Sequence, residues 1–228
     1  MATFLALAQR VAFLSGVVPG ASQPPAVSGL TGRLARVVYW TNQAWREVQN
    51  HRPNWLWRQD EFDGAALLGV QRVRPVDAGI SGPFAEWIID RSGKRPSGVS
   101  LYLTSAGPAE EGHLAFVPFD AFHPRYLVGA RAPGKPQVFS VDGPGNLVLS
   151  PTPDADYTIR GRYIRGVQDL EIGTDIPEMP ERFHDLIVYR ALKLLAEHDE
   201  AAFHLPVWAT NARTIMLELE QSQLPWFA

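Results

Sequence analysis

Tyr157-Thr-Ile-Arg-Gly-Arg-Tyr-Ile164 carries the clearest strand pattern in the chain. Tyr157, Ile159, Gly161 and Tyr163 alternate with mostly polar residues, as in a strand that buries one face. Short runs of the same kind, separated by turn residues, recur through the middle of the chain. Strands of this length and spacing predict a small antiparallel β-rich domain, either a sandwich or a barrel-like fold.

Six further segments of the middle region are predicted to be strands. They are residues 57–62, 84–89, 99–103, 113–117, 137–141 and 146–149. Asp142-Gly-Pro-Gly145 separates the last two and is typical of a hairpin connection. The β-rich insert is predicted to occupy residues 55–170.

Helical periodicity flanks this insert on both sides. Apolar residues recur at helical spacing in segments 3–15, 32–50, 180–202 and 206–221. Each segment has a single apolar stripe that it must bury, so we expect the four helices to pack as a bundle. The predicted class is therefore α+β, with an N-terminal helical part (1–54) and a C-terminal helical part (171–228) that completes the bundle.

Local signals set the bounds of the helices. Thr31 can cap the second helix with its side-chain oxygen, and Pro53 ends that helix. The Pro180-Glu181 pair favours the start of the third helix. The Pro-rich segment 16–29 has no periodicity and is predicted to be a loop. The predicted buried stripe of the second helix is Leu34, Val37, Val38, Thr41, Trp45 and Val48.

Charge and cysteine content exclude several functions. The formal net charge of −3 predicts no general affinity for nucleic acid, which needs a basic excess on at least one face. The chain has no cysteine, which excludes disulfides, thiolate metal ligands and a cysteine nucleophile. Residues 1–16 do not match a secretory signal, because no Lys or Arg precedes the apolar run and Gln9-Arg10 interrupts it. No apolar stretch has the length of a membrane span, so no membrane contact is expected.

Motifs of enzyme active sites fail on spacing. The histidines include no pair at the zinc-protease spacing, so no metal is expected. Ser100 follows Gly98 as in a nucleophile elbow, but Tyr102 stands where the second glycine belongs. Gly143-Pro-Gly145 lacks the third glycine and the following helix of a phosphate loop. The sequence therefore predicts no catalytic residue and no cofactor.

Two alternatives to a structural role stay open: hydrolysis and carbohydrate binding. Paired carboxylates would support glycoside hydrolysis if the fold brought two of them together. The candidates are Asp60, Glu61, Asp63, Glu110, Glu111, Asp154 and Asp156. Exposed Trp55, Trp57 or Trp87 could instead stack on a sugar, although packing in a large core also accounts for these tryptophans.

Three stretches of the sequence carry a family resemblance. They are residues 37–45 continuing to 54–57, residues 134–139 followed by 149–157, and residues 175–186 at the opening of a long helix. In this order they resemble the tailed-phage head–tail adaptors, the connector or head-completion proteins that dock on the portal. Together the stretches extend over most of the chain.

The resemblance implies a virion protein that is not an enzyme. Such a protein is expected at the head–tail interface, assembled in the host cytoplasm as a ring of about twelve subunits that matches the portal. Its partners would be the portal protein, a tail or nozzle protein and further copies of itself. DNA would pass through the lumen during ejection without sequence-specific binding. A different tail-completion protein is the alternative within the same class.

Two groups of residues are candidates for partner contact. Leu224, Trp226 and Phe227 form an apolar end that suits a contact with the portal or with a neighbouring subunit, and packing on their own domain is the alternative. Arg33 and Arg36 share a face of the second helix and suit salt bridges or a subunit contact.

Overall fold

The structure is a computed structural model that describes residues 1–16, 23–198 and 205–224. It confirms the predicted α+β class. The chain divides into two compact units. One, the helical unit, combines Met1–Arg58 with Val167–Ala228, and the other, the β unit, is Gln59–Gly166.

The described residues form five helices, of which four lie at or near the predicted places and one lies between predicted elements. They are α1 (Phe4–Leu14), α2 (Gly32–His51), α3 (Phe119–Phe122), α4 (His184–His198) and α5 (Leu205–Gln223). A 3-10 turn, Glu181–Phe183, precedes α4, so the helix proper begins slightly later than predicted. The predicted end of α4 near residue 202 lies outside the described residues. The short α3 was not predicted.

Helix capping differs from the prediction. Thr31 does precede α2 in an extended conformation, but its side chain makes no capping hydrogen bond, so that part of the prediction was wrong. The side-chain cap belongs to Thr3 instead, whose Oγ1 accepts a hydrogen bond from the amide of Ala6 at 3.3 Å. Asp175 and Gly173 satisfy further amides at the start of α1, because their carbonyls accept hydrogen bonds from Phe4 N and Leu5 N.

The four terminal helices share one hydrophobic core, as predicted. α2 packs against α1 and α4, α1 packs against α4, and α4 packs against α5. The predicted stripe of α2 is buried apart from Leu34, which is half-buried. Ala44 and Gln49 extend the buried face of α2. Trp45 of α2 and Trp55, which follows the helix, are fully buried and are the largest side chains of this core.

A row of polar side chains on α2 binds the segment 168–170. The side-chain amide of Gln49 pairs with the backbone of Gln168, donating to its carbonyl at 2.9 Å and accepting from its amide at 2.8 Å. Asn42 pairs in the same way with Leu170, with both distances 3.2 Å. Between them Arg46 makes a two-pronged salt bridge to Asp169. Positions 42, 46 and 49 are four and three residues apart, so they lie on one face of the helix.

Gln49 also fixes the point where the chain leaves the helical unit. The guanidinium of Arg58, which is 4% exposed, donates to the backbone carbonyl of Gln49 at 3.1 Å. Arg58 is the last residue before the β unit, and Gln168 follows shortly after the chain returns. The segment that leaves the helical unit and the segment that returns to it are therefore both bonded to Gln49.

The β unit contains nine strands in two sheets. They are β1 (Gln59–Ala66), β2 (Arg72–Val73), β3 (Phe84–Trp87), β4 (Ser100–Leu103), β5 (Gly112–His113), β6 (Ala115–Phe116), β7 (Val138–Val141), β8 (Leu147–Ser150) and β9 (Tyr157–Arg165). In the first sheet β9 pairs with β1 along its length on one edge, and with β4 and then β3 on the other, while β5 lies beyond β4. The second sheet has the order β2-β8-β7-β6. Neither sheet closes into a barrel, and the two contribute to one hydrophobic core.

Two strand predictions were wrong in detail. Leu56–Arg58 is a 3-10 turn instead of the start of a strand, and Trp57 there stacks on Trp55 with ring centroids 4.4 Å apart. The run 113–117 splits into β5 and β6, and β6 pairs with β7 in parallel. Parallel neighbours need a long crossover, which the segment containing α3 supplies. The predicted hairpin between β7 and β8 is confirmed by two backbone hydrogen bonds that join Asp142 to Gly145 and Asn146.

Glycines allow two close approaches in the β unit. A Cβ at Gly64 of β1 would lie 2.2 Å from the Cα of Ala78, which is backbone and cannot move aside easily. A Cβ at Gly161 of β9 would lie 2.8 Å from the ring of Phe62. The strand β1 can lie against the 74–80 turn only because position 64 has no side chain.

Gly64→Ala is expected to destabilise the protein by about 3 kcal/mol, because the added methyl group overlaps the backbone of Ala78. Urea denaturation followed by circular dichroism measures the change. Gly112→Ala is the matched control, since a Cβ there meets nothing within 4 Å, and it should change stability by less than about 0.5 kcal/mol. Equal stability of the two variants would contradict the close approach.

Gln49→Met is expected to cost about 2 kcal/mol, because it leaves the amide and carbonyl of Gln168 without partners at a buried site. Thermal unfolding followed by circular dichroism tests this. The control is Gln43→Met on the same helix, whose side chain makes no hydrogen bond within the described residues. If both variants unfold at the same temperature, the paired hydrogen bonds of Gln49 contribute no net stability.

Candidate interaction surfaces

The β unit brings together two of the candidate carboxylates on either side of an arginine. Arg160 of β9 binds Asp63 at 2.7 Å and lies 3.7 Å from Glu111. Glu111 also accepts a hydrogen bond from the hydroxyl of Ser100. The hydrogen bond to Asp63 raises the pKa of the Arg160 guanidinium, which also lies over the ring of Tyr102. Each carboxylate is therefore bound to a permanent cation, an arrangement suited to stabilising the sheet.

Three of the other candidate carboxylates also make structural contacts. Asp154 accepts a hydrogen bond from the Tyr157 hydroxyl at 2.7 Å, and burial together with this bond raises the pKa of Tyr157 to about 12. Asp156 accepts from the amide of Leu68 at 2.8 Å. Asp60 accepts from the amide of Glu61. Among the described residues, Glu61 and Asp63 do line one open cavity together with Ser100, but Arg160 lies in the same cavity and binds Asp63, which favours a structural role over the acid–base pair of a glycosidase.

The tryptophans proposed as a sugar platform are mostly inaccessible. Trp55 is 0% exposed and donates its indole N–H to the carbonyl of Val48 at 3.1 Å. Trp87 is 4% exposed and donates to the carbonyl of Gly145 at 2.8 Å. Trp57 is half-buried against Trp55. Stacking on a sugar needs an exposed ring face, so these side chains favour the packing explanation.

The described residues contain no group of three or more His, Asp or Glu side chains placed to hold a metal ion. In the same ranges, no helix combines the length and the apolar character needed to cross a membrane.

The residues predicted to contact partners lie in different environments. Arg33 and Arg36 are exposed in the first turns of α2. Leu224 is half-buried and packs against the helical core. Trp226 and Phe227 lie outside the described residues.

The helical unit has a cationic groove that sequence inspection did not identify. Its charged lining is Arg52, Arg190, Lys193 and Arg213, with Glu220 as the single carboxylate, and His51 lies among them. Its apolar floor is formed by Ala209, Ala212, Met216 and Leu217 of α5. The groove has a volume of about 350 Å³. Its residues come from the C-terminal end of α2, from α4 and from α5, so no local sequence pattern marks it.

A second surface of the helical unit is an acidic loop, residues 169–178. It carries Asp169, Glu171, Asp175 and Glu178, and it exposes Ile172 at 60% and Ile176 at 37%. The sequence does contain a local signal here, since acidic residues and isoleucines alternate over this stretch.

The β unit exposes an apolar turn between β1 and β2. Leu67 and Leu68 are 51% and 62% exposed, and Val70 is 41% exposed. The turn is held in place, because Leu68 N donates to Asp156 and Gly69 N donates to the carbonyl of Pro153 at 2.9 Å. Exposed apolar side chains on a fixed turn are typical of a protein contact.

Comparison with known proteins agrees with a structural role built on such surfaces. No curated protein matches the chain. The model of one protein family, described as SU10 adaptor protein, matches residues 2–226 and so covers both units. This family consists of bacteriophage adaptor proteins, which are structural components of the virion. Since the match extends over nearly the whole sequence, the chain belongs to the SU10 adaptor protein family.

Proposed function

We propose that this protein is the head-to-tail adaptor of a tailed phage, and that about twelve copies form a ring below the portal. The ring extends the DNA channel and provides the surface to which the tail or nozzle binds. The family match over residues 2–226 is the observation that carries this proposal, because it includes the helices at both ends and the β unit between them.

The surfaces of the helical unit support a role in ring formation and portal docking. A closed ring requires head-to-tail contacts between two different faces of each subunit. The helical unit offers a cationic groove and an acidic loop, which are different faces of opposite charge. Arg33 and Arg36 remain our candidates for a subunit contact, and the segment 224–227 for a contact with the portal or a neighbouring subunit.

The β unit is the part that we assign to the tail side. Its apolar turn at residues 67–70 is exposed and held by hydrogen bonds from both ends of the neighbouring segment 153–156. A fixed apolar turn loses little conformational entropy on binding. This makes it a suitable contact for a tail protein.

Channel function also requires that the protein does not hold DNA. The net charge of −3 gives no net attraction for a polyanion, which favours sliding of DNA through the lumen. The structural interactions of the candidate carboxylates and tryptophans give no specific support to a hydrolytic or sugar-binding function.

Mixing the purified protein with the portal protein of the same phage is expected to give rings bound to one end of the portal, visible by negative-stain electron microscopy. The protein alone is expected to be monomeric or weakly associated in analytical ultracentrifugation. The portal protein alone is the control for ring-shaped particles. Absence of any complex would contradict the proposal.

The number of copies per virion, measured by quantitative mass spectrometry, separates this role from that of another tail-completion protein. An adaptor should be present in the stoichiometry of the ring below the portal. A different copy number with a position elsewhere in the tail would favour the alternative.

A further inference from the structure

The cationic groove and the acidic loop lie on opposite sides of α2. Asn42 and Arg46 bind the acidic loop, whereas His51 lies at the groove. An α-helix turns about 100° per residue, so His51, nine positions after Asn42, points about 180° away from it. Within the described residues the two surfaces therefore do not contact each other, and each can meet a neighbouring subunit.

The groove carries an unsatisfied cation beside an apolar side chain. Arg213 is exposed and makes no ion pair or hydrogen bond within the described residues, while Arg52 is bound to Glu220 and Arg190 to Glu47. One turn further along α5, on the same face, Leu217 is 50% exposed. The buried Met216 and Ala212 lie beneath. Such a groove favours a peptide segment with an acidic residue next to an apolar one.

The acidic loop offers that combination. Glu171 is exposed and its carboxylate makes no ion pair or hydrogen bond within the described residues, and the adjacent Ile172 is 60% exposed. The other acidic residues of the loop are already engaged, since Asp169 binds Arg46 and Asp175 accepts hydrogen bonds from the amides of Glu171 and Ile172. The loop therefore presents one unpaired carboxylate beside one exposed isoleucine.

The loop is held rigidly in this conformation. Asn42 of α2 fixes Leu170 through two hydrogen bonds. At the other end of the loop, the carbonyls of Gly173 and Asp175 accept hydrogen bonds from Leu5 N and Phe4 N of α1, at 3.1 and 2.7 Å. A segment that is already ordered pays little entropy when it binds.

From this complementarity we propose that the acidic loop of one subunit docks into the cationic groove of the next, with Glu171 pairing with Arg213 and Ile172 resting on Leu217 and Met216. The occupant of the groove is thus a second copy of this chain. The contact is head-to-tail, which is the type of contact that generates a ring when the rotation between subunits closes. This inference rests on the proposed ring and names the residues that join its subunits.

Charge reversal tests the contact, because both side chains are exposed and have no ion pair in the part of the subunit that the structure describes. Arg213→Glu and Glu171→Arg should each fold normally by circular dichroism. Each alone should lower the yield of portal-bound rings about tenfold at equal concentration, because like charges then face each other at every subunit contact. Lys94→Glu, at an exposed cation of the β unit, is the matched control and should assemble as the wild type does.

Two rescues distinguish this contact from other effects of the substitutions. The chain that carries both Arg213→Glu and Glu171→Arg should regain rings, because every contact again pairs opposite charges. An equimolar mixture of the two single variants should also regain rings, since alternating subunits place a carboxylate opposite an arginine at each contact. Negative-stain electron microscopy and native mass spectrometry measure ring yield and composition.

Each negative result identifies which proposal is wrong, the function or the subunit contact. If the wild type forms no ring with the portal protein, both the proposed function and this inference are overturned. If the wild type forms rings and the single variants do so equally well, the function stands and the contact is wrong. Loss of rings in the single variants without either rescue would also overturn the contact, and would assign these residues to binding the portal or another molecule.

Discussion

The side-chain amide of Gln49, paired with the backbone of Gln168, is the interaction on which the organisation of the molecule depends. Residues 119 positions apart in sequence are joined by it at a buried site. The carbonyl of the same residue accepts a hydrogen bond from Arg58. Any rotation of α2 by one residue would turn Asn42, Arg46 and Gln49 away from their partners together. The register of α2 in the bundle is therefore set by polar contacts as much as by its apolar stripe.

Sequence periodicity predicted the features that come from burial of apolar surface. The terminal helices, their packing as a bundle and most strands of the β unit follow from apolar residues at spacings of 3.6 and 2. The hairpin at residues 142–145 follows from turn chemistry. These signals are local, so a single sequence is sufficient to find them.

Features that depend on distant contacts were missed. In the parallel pair of β6 and β7, β6 has only two residues, and a strand that short carries no alternation to detect. Asn42 and Gln49 are polar residues of a predicted helix, but nothing in the sequence indicates that they bind the backbone of residues 168–170. Thr31 has the right residue type and position for a cap, yet a side-chain capping bond also needs a favourable rotamer, and here it is not made.

The candidate surfaces, too, could be predicted only where their residues are contiguous in the sequence. Asp63 and Glu111 were candidates by residue type, but the sequence could not show that Arg160 lies between them. The cationic groove is assembled from three helices and has no signature in any one segment. The acidic loop is contiguous, and its alternation of acidic residues and isoleucines was visible. Proteins that act through surfaces offer few local motifs, so the match to a family over the whole chain carried more information than any single pattern.

The segment that leaves the helical unit and the segment that returns to it are both bonded to one residue of α2, and this affects how such proteins evolve. Arg58 and Gln168 bracket the β unit, and both are bonded to Gln49. A domain whose two connections meet at a single anchored point can be replaced by another of different size without disturbing its host. Recombination between phages can therefore exchange the β unit as a cassette while the helical unit keeps its fold.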